Sequence, residues 1–494
     1  MFESRYVAWT STGVSVCFIS YLLYDKFFKK KNDYVTESER NAEKLTKKEV
    51  LELRRKFFCD AQSISYENSN PLFATKAKGQ YIYDSDGTEY LDTRNNVGHV
   101  GWQNPIVLSA IQRQLSKVNS NSRYIHNFRV LLAKKLTETM PKKLCRVFFV
   151  NSGSEANDLA IRLATTHTGK QDMIVVDHAY HGHTVATLEV SPYKYEHAGG
   201  SGKASHIHKV PCPDTYRGLY RGVNAAIKYA DHVKRVCDEV VKQRSNVEGG
   251  VAAFFVESGM SVGGVIIPPK GYLQNCYQHV HKCGGICIAD EVQVGFGRFG
   301  EVYWGFELDG VIPDIVTIGK PFGNGFPLAA VVTTNEISKS FANGLEYFNT
   351  FGGNPVACAA GIAVMDVIET GKMQRHASKV GSFLKEKLLA LSKKEVGNKI
   401  GNVRGKGLFL GIEFVNDRQT LEPATKLTSL LCSRLKDRHN ILTSIDGPHN
   451  NVIVIKPPLC FSQDNARYLV KKIEFELQSI TDADIIDNFT HTAT

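Results

Sequence analysis

Two residues in this chain have the types and spacing for carbanion chemistry, and each closes a short apolar run. Ile286–Ala289 leads into Asp290, and Ile315–Ile318 leads through Gly319 into Lys320. Such runs read as buried strands of a parallel sheet, where ligand chemistry sits beyond the carboxyl ends of the strands. Taken singly, an aspartate there is a cap or turn residue and a lysine is a solvated charge. Taken together, an acid and an amine at strand ends suit pyridoxal 5'-phosphate (PLP). An amine forms an imine with its aldehyde, and a carboxylate keeps its ring nitrogen protonated so that the ring can take up electrons. The pair predicts Lys320 as the anchor and Asp290 as the partner of the ring nitrogen.

A second stretch supplies what a phosphate needs. The strand Arg146–Val150 runs into Asn151-Ser152-Gly153-Ser154-Glu155-Ala156-Asn157 and then an amphipathic helix over 158–166. Small residues at a helix N-terminus leave backbone N–H groups pointing outward, and the helix dipole favours an anion. After the strand Met173–Val176 comes Asp177-His178-Ala179-Tyr180-His181-Gly182-His183. Three histidines on one loop without a cysteine pair are a poor metal set. Gly295-Phe296-Gly297-Arg298-Phe299-Gly300 matches a dinucleotide fingerprint in letters only. No helix opens after it, so it reads as a flexible loop near the cofactor.

DEVQVGFGRFG, TIGKPFGNGFP and FNTFGGNP resemble the class III PLP-dependent aminotransferases of fold type I, over roughly Asn70 to Phe475. RNNVGHVG, NSRYIHN, PDTYRGLYR, IKPPLCF and the preceding DGP resemble the narrower branch of ethanolamine-phosphate and 5-phosphohydroxylysine phospho-lyases. The resemblance implies a phosphate loop of Ser152, Gly153 and Ser154, with Tyr180 stacked on the PLP ring. It implies further cofactor contacts from Glu257 and Gln293, and Thr350 reaching the phosphate of a neighbouring subunit, hence a homodimer with shared sites. Arg404 would fork onto a substrate carboxylate. One departure matters. Many class III enzymes read E-P-x-Q-G-E where this chain reads Glu257-Ser258-Gly259-Met260-Ser261-Val262. Val262 replaces the glutamate that gates the arginine, so Arg404 is expected to stay available to an anionic substrate.

The elements that must position these residues follow from the pattern. The fold class is α/β: a large PLP-binding domain over 99–370 with a mostly parallel sheet under helices, and a smaller α+β domain from 32–98 and 371–478. Residues 479–494 form a tail. Residues 81–92 read as a hairpin with an Asp-Gly turn. Residues 33–58 read as a linker plus one amphipathic helix.

Composition excludes other classes. A net charge of +10 is spread over 494 residues without a basic block interleaved with aromatics, which argues against nucleic acid. Eleven cysteines without a C-x-x-C pair point to reduced thiols. Residues 6–24 carry no charge and, as a helix, would span ~28 Å. Lys26, Lys29, Lys30 and Lys31 follow. This pattern predicts a membrane anchor within 1–31 and a cytoplasmic catalytic domain, with a mitochondrial address as the alternative. The expected activity is elimination of phosphate from a small phosphorylated amine. The alternatives are an alanine–glyoxylate type aminotransferase and an inactive tethered scaffold, against which Lys320 and Asp290 both weigh.

Overall fold

The computed structural model describes residues 35–67, 70–243 and 250–485. It divides into a unit ending at Glu67 and a unit from Asn68 onward. The first unit holds the helices Glu37–Glu43 and Lys47–Phe57, where one was expected. Thr46 is the reason: its hydroxyl accepts from the Glu49 N–H while the Glu49 carboxylate accepts from the Thr46 N–H, a capping box that starts a new helix. The apolar segment 6–24 lies outside the described residues. Among the described residues no helix is long and apolar enough to cross a membrane.

The second unit begins with β1 (Ala74–Lys78), β2 (Tyr81–Asp84) and β3 (Glu89–Asp92), an antiparallel meander with the expected turn at Gly87. The central sheet follows, built from β4 (Arg146–Val150), β5 (Met173–Val176), β6 (Ile207–Val210), β7 (Ala253–Glu257), β8 (Ile286–Asp290), β9 (Ile315–Ile318) and β10 (Ala329–Thr333). Its order is β4-β10-β9-β8-β7-β5-β6, and β10 alone runs antiparallel to its neighbours. Side chains alternate between two buried faces: Phe254, Val256, Ala289 and Val316 join one core, Phe255, Ile288, Ile315 and Val331 the other. That double burial is why these strands read as continuous apolar runs rather than alternating ones.

A separate core gathers around β11 (Ile400–Lys406), β12 (Phe409–Phe414), β14 (Ser444–Asp446) and β15 (Val452–Ile455), an antiparallel sheet ordered β11-β12-β15-β14. The short β13 (Ile441–Leu442) pairs parallel with β3, tying the two ends of the unit together.

The glycine-rich run 295–300 is not a flexible loop. Phe296, Arg298 and Phe299 are fully buried. The Arg298 guanidinium donates to the Leu408 and Pro457 carbonyls and contacts His99 Nδ1. Burial draws its pKa down to about 9. Aromatic packing of Phe296 on Trp304 and Phe322 holds the turn in place.

Candidate active site

Sheet register brings the acids together. Glu257 pairs with Asp290, and Asp290 with Thr317, at the carboxyl ends of three adjacent parallel strands. Lys320 lies three residues past Thr317, at the same edge. A cavity of about 490 Å³ opens there, lined by Ser152, Gly153, Ser154, Tyr180, Asp290 and Lys320, with Gln293 also on its wall.

Asp290 is buried and fixed from three sides. Its Oδ2 accepts from Asn157 Nδ2 at 2.8 Å and faces His181 Nδ1 at 2.9 Å, and its Oδ1 accepts from the Val292 N–H at 3.0 Å. His181 stacks on Phe255 with ring centroids 4.0 Å apart. Lys320 makes no hydrogen bond among the described residues. Burial lowers its pKa, partly opposed by Asp290, Glu257 and Asp446. A lowered amine pKa favours the neutral nucleophile.

The helix Gly153–Thr168 starts five residues earlier than its apolar spacing predicted, because Ser152 caps it through the Glu155 N–H. Its first N–H groups have no acceptor within the helix. Ser154 Oγ accepts from the His183 N–H at 3.1 Å. Gly182 lies against it: a Cβ at Gly182 would come within 2.7 Å of Ser154 Oγ and 2.9 Å of its Cα.

One expected site residue acts at one remove from the cavity. Glu257 does not line it; its carboxylate accepts the N–H groups of Tyr180 and Ser261, at 3.1 and 3.2 Å. Burial raises its pKa to about 7. Gln293 Oε1 accepts from Asn96 Nδ2 at 2.6 Å. Thr350 is exposed and does not line this chain's cavity, its carbonyl accepting from the Ser122 N–H. Arg404 lines another cavity, of about 450 Å³. It is not unengaged as expected: its Nη1 lies 2.5 Å from Glu413 Oε2, and its Nε donates to the Gly264 carbonyl.

Sequence reasoning missed three residues. Asn157 lies four residues after Gly153, on the same helix face by one turn, and that spacing was the available signal. His181 was visible only as one of three histidines. Lys456, within the IKPPLCF run, is half-buried with its amine 2.9 Å from Ser261 Oγ and 3.8 Å from Asp446 Oδ2. Burial draws its pKa down to about 8.

The family model for aminotransferase class III matches residues 63–477. The chain belongs to the class III aminotransferases. It is 47% identical over 431 residues to an alanine–glyoxylate aminotransferase 2-like protein of Drosophila melanogaster, covering 86% of each chain. It is 43% identical to ethanolamine-phosphate phospho-lyase homolog 1 of Caenorhabditis elegans, covering 85% of this chain and 91% of that one. Among solved structures, a phospholyase from Arthrobacter in complex with phosphoethanolamine superposes with a TM-score of 0.81 at 34% identity, covering 87% of this chain and all of that one. Relatives named as mitochondrial alanine–glyoxylate aminotransferases, from Arabidopsis thaliana and Homo sapiens, share 38% and 37% identity. None of these findings supports a membrane-anchored, cytoplasmic placement, which is withdrawn. The protein is a PLP-dependent enzyme of the class III family, a lyase or a transaminase. The cavity fits that cofactor: it offers an amine without a hydrogen-bonding partner, a buried carboxylate held by an amide and an imidazole, and an open helix N-terminus for a phosphate.

Proposed function

We propose that this enzyme eliminates phosphate from a small phosphorylated amine, giving an aldehyde, ammonia and phosphate with uptake of one water. The observation that carries the reading is the second amine, that of Lys456. Lys456, Arg94 and Lys320 all lie within electrostatic reach of Asp446. With Lys320 given over to the cofactor, Lys456 and Arg94 are two cations on one carboxylate, which leaves positive charge for an anionic leaving group beside the reacting carbon. A transaminase acting on an uncharged side chain has no use for it.

The residues divide the work as follows. PLP, when bound, supplies an electron sink for the substrate carbon. Lys320 anchors it and, once displaced, moves the proton on that carbon as general base. Asp290, oriented by Asn157 and His181, presents its carboxylate to the ring nitrogen. Ser152, Gly153 and Ser154 hold the phosphate at the helix N-terminus. Tyr180 covers the ring face, and Glu257 fixes Tyr180 through its backbone. Lys456 and Arg94 face the departing phosphate. Thr350 serves the site of the second subunit of a homodimer.

Arg404, suited to a carboxylate, favours an aminotransferase as the second reading. Supplying phosphoethanolamine and phosphohydroxylysine in parallel, without any oxo-acid, separates the two. The lyase gives many turnovers with one phosphate per ammonia. Amination of the cofactor after a single turnover, reversed by pyruvate or glyoxylate, would establish the transaminase instead.

A further inference from the structure

Glu413 is buried and lies between two guanidinium groups. Arg217, in the loop after β6, contacts Oε1 with both Nε and Nη2, while Arg404 takes Oε2 with Nη1. On the β11–β12 ladder Arg404 stands opposite Gly411 and Glu413 opposite Asn402, so carboxylate and guanidinium are diagonal neighbours. The Arg404 Nη2 group makes no hydrogen bond among the described residues. It lies beside Gly264, where a Cβ would come within 3.0 Å of it. Two arginines and one glutamate leave one formal positive charge.

This cluster lies along one short loop from the reacting amine. Asp446, at the loop's start, is within electrostatic reach of Lys320. Gly447 donates to the Val262 carbonyl and packs on Gly264, whose carbonyl accepts from Arg404. His449, at its end, is within electrostatic reach of Arg217 and Glu413. Three residues of chain from Asp446 to His449 reach at most ~10 Å.

We infer that Arg217 is a positioning residue that makes Arg404 exchangeable, so that the enzyme takes a phosphorylated amine with a carboxylate at its far end, the phosphohydroxylysine rather than the phosphoethanolamine type. The inference rests on the lyase reading for the phosphate, but not for the carboxylate. A buried carboxylate paired with a single arginine resists losing it, because an uncompensated charge remains. Glu413 keeps Arg217 when Arg404 turns its fork to a substrate anion. Arg217 thereby does from a different loop what a movable gate glutamate would do from position 262.

The test measures the affinity of the PLP-loaded enzyme for two amines by their effect on cofactor absorption: 6-aminohexanoate, with a distal carboxylate, and hexylamine, without one. Wild type should prefer the first. Arg217→Gln should cut that preference at least ten-fold, and Arg217→Lys, which keeps charge but loses the fork, should cut it less. In phosphate release the same variants should raise KM for phosphohydroxylysine, leave its kcat near wild type, and lower the phosphohydroxylysine-to-phosphoethanolamine ratio of kcat/KM. Equal weakening toward both amines, or none, would overturn the role of Arg217. If Arg217→Gln does not fold, Arg217→Lys is read by the same ratio. Absence of phosphate release from either phosphorylated amine would remove the lyase reading while leaving the amine affinities to decide on Arg217.

Discussion

Replacing Lys320 by alanine tests the amine on the cavity wall. The variant should lose turnover, and borohydride should no longer fix PLP to the protein; fixation at an undiminished level would move the anchor elsewhere. Asp290→Asn is the sharper probe, because shape is kept and only charge is lost. Cofactor should remain bound while the rate falls by about 10²-fold or more, the scale of losing one preorganised electrostatic contact. Near-normal activity would refute the ring-nitrogen assignment. Glu257 offers a test through pH. Its pKa in the fold, about 7, lies above the ordinary glutamate value of 4.5 because burial disfavours the charged form. The folded state therefore binds the proton more tightly than the unfolded chain. This contribution to stability is full below pH ~4.5 and is lost as the pH rises through ~7. Each pH unit in that window removes at most about 1.4 kcal/mol. Thermal melting of wild type and Glu257→Gln should converge or cross with rising pH, the variant falling less steeply. Parallel curves would mean that Glu257 is ionised throughout.

At the scale of elements, the site is a meeting of strand ends with two loops pressed together. Gly182 has φ 138° and stands against the backbone of Ser154. Gly182→Ala must push the loop off the start of the helix Gly153–Thr168. Cofactor retention on dialysis should weaken at least ten-fold while the circular dichroism spectrum stays unchanged; full retention would show that the helix start does not depend on this contact. Much of this architecture was legible in the sequence. β4, β5 and β9 fall where their apolar runs placed them, because strands buried on both faces leave an uninterrupted apolar signature. Asp290 and Lys320 were legible for the same reason, as polar residues ending such runs. What the sequence hid was partnership across the fold. Nothing local to Arg404 announces Glu413 and Arg217 on the same charge, since their meeting depends on a strand register and a loop separated by nearly two hundred residues. Arg298 misled in the opposite sense: glycines around it suggested mobility, yet its guanidinium ties three segments together in the core.

For the whole molecule, several exposed apolar side chains belong to the segment of Thr350 and the one beside it. The segments 122–125 and 348–351 lie side by side: Ser122 bonds the carbonyls of Asn349 and Thr350, and the Arg123 guanidinium lies 4.0 Å from the Phe348 ring centroid. Tyr124, Ile125 and Phe351 on this surface are 69%, 100% and 62% exposed. Large contiguous apolar patches of this kind mark association sites, and a closed two-fold dimer is the commonest way to cover one. Sedimentation of the wild-type protein should give a dimer. Ile125→Asp, which places a charge at the most exposed of these positions, should shift it toward monomer and lower cofactor retention with it, because each cavity would lose the Thr350 of the other chain. Thr350→Val should lower retention while the dimer persists. Those two results together separate assembly from cofactor contact. A dimer unaffected by Ile125→Asp would place the interface on another face, and a Thr350→Val protein that holds PLP as tightly as wild type would remove Thr350 from the second subunit's site.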